Sequence, residues 1–135
     1  MAIKELEVNL WSDIDCYWYY IGETILKREI QEFNKKHTDI KVKLIFYSFF
    51  IKAQENECGE DFQEFNKCKC GSDGWNKELV DKGRKYGCQY ANWKFWPNIT
   101  FCHKLISEAK KTGKCIQDAD ALFLALYEQE KNVSF

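Results

Sequence analysis

The chain has 135 residues, 45% of them hydrophobic and 16% aromatic, which is enough apolar material for one globular domain with its own core. Its 20 Lys and Arg residues against 21 Asp and Glu give a formal charge of -1, so it carries no electrostatic footprint for a nucleic-acid backbone or an anionic membrane, and neither is expected as a partner. The N-terminus MAIKELEVNLW places Lys4, Glu5 and Glu7 where a signal peptide needs an apolar core, and no stretch approaches the ~18 apolar residues of a membrane span, so a cytoplasmic location is expected.

Leu6, Val8 and Leu10 alternate with polar residues, the period of a strand, and the pattern stops at Ser12-Asp13, a turn signal. Trp18, Ile21, Ile25, Ile30 and Phe33 then recur near helical spacing, and Lys35, Lys36 and His37 supply cations for the negative end of the helix dipole. This predicts a long helix that starts near Cys16. Ile40, Val42, Leu44 and Phe46 alternate again, and a crossover of that length makes the two strands parallel. The segment from Lys52 to Asp73 is polar, with a short helix from Asp61 to Lys67 and a breaker cluster Gly71-Ser72-Asp73-Gly74. A helix follows with Trp75, Leu79, Gly83 and Tyr86 on one face, ended by Gly87, and Tyr90 to Trp96 reads as an irregular or extended connection. After Pro97, Cys102, Leu105, Ile106 and Ala109 share the face of another helix that ends at Lys110, Lys111 and Gly113. A last helix is expected from Asp118, as N-cap, through Leu122, Phe123, Leu126 and Tyr127 to Asn132. Two parallel strands need further strands to close their edges and cover their faces, so the pattern reads as a fold cut short, with self-association as a consequence.

Seven cysteines, at 16, 58, 68, 70, 88, 102 and 115, are an odd number at uneven spacing and do not form a disulfide framework, so most are read as free thiols. Cys58, Cys68, Cys70 and Cys88 could be counted as four zinc ligands. A Cys-x-Cys pair lacks the usual loop and no second matched pair exists, so no metal is expected. Cys16 follows strand one and opens the helix, where unpaired backbone N–H groups and the positive end of the dipole favour thiolate. A thiolate there can attack disulfides. Asp13 and Asp15 oppose it by placing negative charge nearby, and a small buried hydrophobe at a strand-to-helix turn accounts for the position equally well. His103 beside an apolar helical face reads as a packed side chain, and His37 as a solvated helix end. Trp18 and Phe95 read as core. Tyr19, one helical turn from Cys16, could hydrogen-bond a thiolate. The sequons at Asn98 and Asn132 are read as chance matches.

The string Trp11-Ser12-Asp13-Ile14-Asp15-Cys16-Tyr17-Trp18-Tyr19-Tyr20-Ile21-Gly22 resembles the active-site signature of the FrnE-type branch of the DsbA-like thioredoxin-fold oxidoreductases. There a Trp-Ser-Asp turn precedes Cys-Pro-Trp-Cys-Tyr and a following Gly. Phe46-Tyr47-Ser48-Phe49 resembles the end of that family's second strand. Pro97-Asn98, His103-Lys104-Leu105, Ala109-Lys110 and Gly113-Lys114 resemble its helical insert, which Phe123 to Tyr127 continue. The resemblance spans essentially the whole chain and is specific mainly from Trp11 to Gly22.

It implies an α/β fold: a thioredoxin-like β-α-β unit over 1–51 and an inserted, all-helical subdomain over 52–135, without the family's C-terminal sheet strands, helix or cis-proline loop. Pro97 falls in the insert and is not that proline. The resemblance further implies thiol–disulfide exchange through Cys16, with Ser12, Tyr17, Trp18 and Tyr19 around the substrate, on protein or small-molecule thiols and disulfides. Tyr17 falls at the family's proline and Tyr19 at its second cysteine, so no Cys-x-x-Cys disulfide forms and an external thiol such as glutathione must release the substrate. No tightly bound cofactor is implied. The alternatives are a glutathione-dependent isomerase or transferase of the 2-hydroxychromene-2-carboxylate isomerase type, in which Cys16 only flanks the glutathione sulfur, and a non-catalytic truncated relative.

Overall fold

The computed structural model describes residues 2–51, 57–69, 71, 74–91 and 94–134. Cys70, Ser72, Asp73 and Trp93 lie outside the described residues, as does the side chain of Trp75. The alternating segments become β1 (Lys4–Ser12) and β2 (Ile40–Ser48), joined by α1 (Tyr17–Lys36). The strands are parallel, with Leu6 beside Val42, Val8 beside Leu44 and Leu10 beside Phe46. That register turns the even positions of both strands to one face, where Val42 and Phe46 are buried and Leu10 packs against the core. Phe46, fully buried, contributes about 2–3 kcal/mol of transfer free energy. On the other face Glu5 lies beside Lys41 and Glu7 beside Lys43, while Trp11 stacks on Tyr47 with ring centroids 5.0 Å apart.

The remainder runs β3 (Glu60–Asp61), α2 (Phe62–Lys69), α3 (Gly74–Tyr86), β4 (Phe95–Trp96), α4 (Thr100–Lys111) and α5 (Cys115–Phe123), followed by a π-helical turn over Leu124–Glu128. The helical segment thus also carries a small antiparallel ribbon, with Glu60 paired to Trp96 and Asp61 to Phe95. Its Phe95–Trp96 strand lies within the stretch expected to be irregular or extended, whereas Glu60–Asp61 lies in the polar segment, where Asp61 was expected to open the short helix that instead begins at Phe62.

The last helix differs from the expectation at both ends. Gly113, at φ +73°, closes α4, and the Lys114 N–H returns to the Ala109 carbonyl, so the chain re-enters helix at once with Lys114 rather than Asp118 as N-cap. Asp118 sits in the first turn, where its charge meets the unpaired amides. The regular helix stops at Phe123, and the π turn closes with Gln129 N–H donating to Leu124 O rather than running on to Asn132.

One core unites residues from both sides of position 51: Ile14, Tyr17, Ile21 and Phe46 pack with Phe62, Leu79, Ile99, Ile106, Phe123 and Tyr127, among others. The helices therefore bury much of their apolar surface against one another as well as against β2. β1 is left less covered, with Leu6 53% exposed. Leu105, expected on the buried face of α4, is exposed, because Cys102, His103, Ile106 and Ala109 define that face. Among the described residues no helix is long and apolar enough to cross a membrane.

Candidate active site at the start of the first helix

β1 delivers the chain to a buried acidic turn. Ser12, Asp13 and Ile14 are all 0% exposed, and the Cys16 N–H closes the turn onto Asp13 O at 3.3 Å. A carboxylate without solvent needs donors. Asp13 has two: its Oδ2 accepts the Ile51 N–H at 2.5 Å and its Oδ1 lies 3.0 Å from His103 Nε2. With the Phe49 N–H on Ser12 O, these bonds tie the turn to the residues after β2 and to α4. His103 is buried, as its apolar surroundings in sequence suggested, and Phe50 covers its ring at 4.2 Å. Its Nδ1 has no partner among the described residues. Facing a carboxylate oxygen, Nε2 is the ring nitrogen that donates, to Asp13 Oδ1. Ser12 Oγ is also buried without a partner among the described residues.

Cys16 is the N-cap of α1, in an extended conformation, and its carbonyl accepts from the Tyr19 and Tyr20 amides at 3.0 and 3.4 Å. The sulfur itself makes no cap hydrogen bond. Burial pushes its pKa above the ordinary value; the Tyr19 and Trp18 amides pull it back toward thiolate, and Asp15 and Asp13 push it up again. The net direction reverses the expectation of an activated thiolate: the helix start acts on the sulfur as predicted, but removal from solvent outweighs it.

Beneath the turn lies an aromatic cluster. The Tyr17 ring meets Tyr127 at 4.4 Å, Tyr90 at 5.2 Å, Trp96 at 5.8 Å and Phe62 at 6.0 Å. Tyr127 donates its hydroxyl to Ile14 O at 2.7 Å, and Tyr90 donates to Tyr17 O at 2.6 Å. Burial holds the phenols of Tyr17, Tyr90 and Tyr127 well above their usual pKa, so they remain donors. Two backbone features bring them here. The π turn inserts one residue, so the consecutive side chains of Leu126 and Tyr127 both point inward. Gly83 lets Tyr90 approach α3, since a Cβ there would sit 2.6 Å from its ring.

The four residues expected around a substrate separate into two pairs. Ser12 and Tyr17 are buried, at 0% and 4% exposed, and support the site from within rather than lining its surface. Trp18 and Tyr19 reach solvent. Trp18, expected in the core, is 42% exposed with the Lys82 ammonium 4.9 Å above its ring; Tyr17 takes the inward place instead. Phe95 packs partly buried against the core. Tyr90 and Tyr127 escaped the sequence reading as site residues because their roles depend on contacts 73 and 113 positions away in the chain. Cys58 and Cys68 are exposed, whereas Cys88 is buried with its thiol on Thr24 Oγ1 at 3.3 Å.

No family model matches the chain, and no curated protein matches it. Among solved structures it is similar to the crystal structure of a "probable DsbA oxidoreductase" from Streptomyces coelicolor, with a TM-score of 0.80, 20% identity and 94% of this chain covered. The chain spans 56% of the length of that protein. The likeness establishes the fold: a mixed α/β chain of the DsbA-like thioredoxin type, in which the β-α-β unit carries Cys16 at the start of its helix and the helical segment packs beside it.

Proposed function

We propose that the chain is a thiol–disulfide oxidoreductase of the FrnE-type DsbA branch, working through Cys16 with an external thiol such as glutathione in the cytoplasm. The observation that carries this reading is the position of Cys16: it caps α1 of a DsbA-like fold, and the Trp18 and Tyr19 amides favour its ionised form. In the first step the Cys16 thiolate attacks a substrate disulfide, forming one mixed disulfide and releasing one substrate thiolate. A glutathione thiolate then attacks the Cys16 sulfur, releasing the second substrate thiolate and leaving glutathione on Cys16. A second glutathione thiolate frees Cys16 and produces oxidised glutathione. Two glutathione thiols are oxidised for each disulfide reduced. Trp18 and Tyr19 contact the substrate in this scheme, while Ser12 and Tyr17 hold the turn from below.

A glutathione-dependent isomerase or transferase is the second reading. It is favoured by the burial that keeps Cys16 protonated, because the same two amides could then serve the sulfur of a bound glutathione. Turnover of a small disulfide by glutathione, compared between the native chain and Cys16→Ser, separates the readings. The first expects mixed disulfide at Cys16 by mass spectrometry and complete loss of turnover in the variant. Glutathione binding that survives Cys16→Ser, without any disulfide turnover in the native chain, supports the second. Neither binding nor turnover would leave the non-catalytic relative.

A further inference from the structure

Two tyrosine hydroxyls reach the backbone on either side of Cys16, and they hold different peptide groups. Tyr127 donates to Ile14 O, whose peptide leads into Asp15, and Tyr90 donates to Tyr17 O, whose peptide leads into Trp18. A peptide group is planar and rigid, so a bond that fixes its carbonyl also fixes the direction of its N–H. Cys16 is the N-cap of α1, which makes Trp18 the second helical residue. Its N–H is among those that the helix itself leaves without an acceptor, and it is one of the two that an N-cap side chain addresses. The Tyr17–Trp18 peptide therefore joins the Tyr90 hydroxyl at one end to the surroundings of the Cys16 sulfur at the other.

We infer that Tyr90, in the helical segment, is a positioning residue for Cys16: through the Tyr17–Trp18 peptide it orients and strengthens the N–H that Trp18 offers to the sulfur. The inference rests on the proposed function only in taking Cys16 as the reacting group. The hydroxyl is a fixed donor. The segment that carries it is held on both sides, by Cys88 N–H on Gly83 O at 2.8 Å and by Ala91 N–H on Tyr127 O at 2.7 Å, and its ring packs against Tyr17 and Tyr127 at 5.2 and 5.5 Å. Its bond to Tyr17 O is buried and short, at 2.6 Å. A carbonyl oxygen has two lone pairs, so Tyr17 O can take this bond beside its place in the helix ladder. A hydrogen bond at the carbonyl also polarises the peptide, which makes its N–H a stronger donor by about 10–30%. The Trp18 amide in turn favours the ionised form of Cys16. Burial keeps the Tyr90 phenol neutral, and the carboxylates that act on the sulfur, Asp13 and Asp15, lie on the turn itself. Removing the hydroxyl therefore changes no charge.

Ionisation of Cys16 can be read as the rate of its alkylation by iodoacetamide against pH, with the labelled residue identified by mass spectrometry. Tyr90→Phe keeps the ring and should raise the midpoint, corresponding to an acidity constant roughly two- to fivefold smaller. The Trp18 amide nitrogen resonance should move in the same variant. Placing 3-fluorotyrosine at position 90, a stronger donor of nearly the same shape, should lower the midpoint instead, and this test remains if Tyr90→Phe fails to fold. Tyr20→Phe removes a hydroxyl from the same cluster, but one that donates to Glu128, and should leave the midpoint where it is. A midpoint that does not fall with 3-fluorotyrosine, or is unchanged in folded Tyr90→Phe, overturns the inference. So does an equal shift in Tyr20→Phe, which would assign the effect to packing of the cluster. The measurement needs no turnover: a chain that shows these shifts but exchanges no disulfide would overturn the proposed activity and keep the role of Tyr90.

Discussion

Replacing Glu23 by Gln should stabilise the protein above neutral pH and leave it nearly unchanged in mild acid. Glu23 lies two turns along α1 from Cys16 and is 2% exposed. Lys27 Nζ approaches its Oε1 at 3.3 Å, yet among the described residues neither carboxylate oxygen has a hydrogen bond, and Lys27 also engages Asp120. Burial raises its pKa from the ordinary 4.5 to about 7, with Lys27 pulling it down and Asp120 pushing it up. A folded-state pKa above the unfolded one means that the folded protein holds the proton more tightly. The favourable contribution is complete below the unfolded value and is lost as pH rises through about 7. The rise corresponds to about 3 kcal/mol at most, since one pKa unit is worth about 1.4 kcal/mol. Gln keeps the shape of the protonated acid and removes the charge. Denaturant unfolding of both proteins at mildly acidic and mildly alkaline pH isolates the effect, because other titrating groups cancel in the difference. A stability difference independent of pH, or a variant weaker than the native chain in alkali, would refute the assignment and mean that the pairing with Lys27 outweighs desolvation.

Two further outcomes follow from the site. Alkylation of Cys16 followed against pH should give an apparent pKa above that of an ordinary thiol, and Asp15→Asn should speed the reaction at neutral pH by removing a charge that opposes the thiolate; an unchanged rate would remove Asp15 from the electrostatics of the sulfur. Tyr127→Phe should cost about 1–3 kcal/mol in denaturant unfolding, because the buried Ile14 carbonyl loses its donor while ring packing stays the same; a loss below a few tenths would mean that water reaches the turn.

The β-α-β unit was legible because its signals are local. Alternation in Leu6 to Leu10 and Ile40 to Phe46 sets the strands and their faces, and the helical spacing of Ile21 and Ile25 sets the side of α1 that packs inward. The position of Cys16 followed from the order of elements. What the local pattern could not show was the sign of a competition. Trp18 and Tyr17 are neighbours of similar apolar character, and the choice of Tyr17 for the core depends on Tyr90, Trp96 and Tyr127 being present to receive it. The reversal at Cys16 has the same origin: helix-start amides can be counted from the sequence, whereas burial of the sulfur depends on the folded surroundings. Asp118 was a reasonable cap by residue type, but Gly113 turns the chain so sharply that the cap falls four residues earlier, at Lys114.

Cys102 shows what Cys16 would be without the helix start. Both sulfurs lose solvent, but Cys102 gains only a weak compensation from its own amide, and its thiol is pushed up to about 12; it donates to Val133 O and packs as core. Cys16 is only partly buried, and the nearby amides of Trp18 and Tyr19 favour its ionised form. The pKa of a sulfur enters thiol–disulfide exchange twice, through the fraction available as nucleophile and through its ability to leave. Burial slows Cys16 on both counts, while the two amides favour the thiolate both before it attacks and as it is expelled. Their effect is largest when solvent is excluded from the helix start, because hydrogen bonds to an ion strengthen as the local dielectric falls. A substrate seated over Trp18 and Tyr19 would therefore sharpen both terms at once: it would raise the cost of an uncompensated charge on Cys16 and increase the value of the amides that compensate it. The balance between those two changes decides whether exchange at this position runs at a catalytic rate.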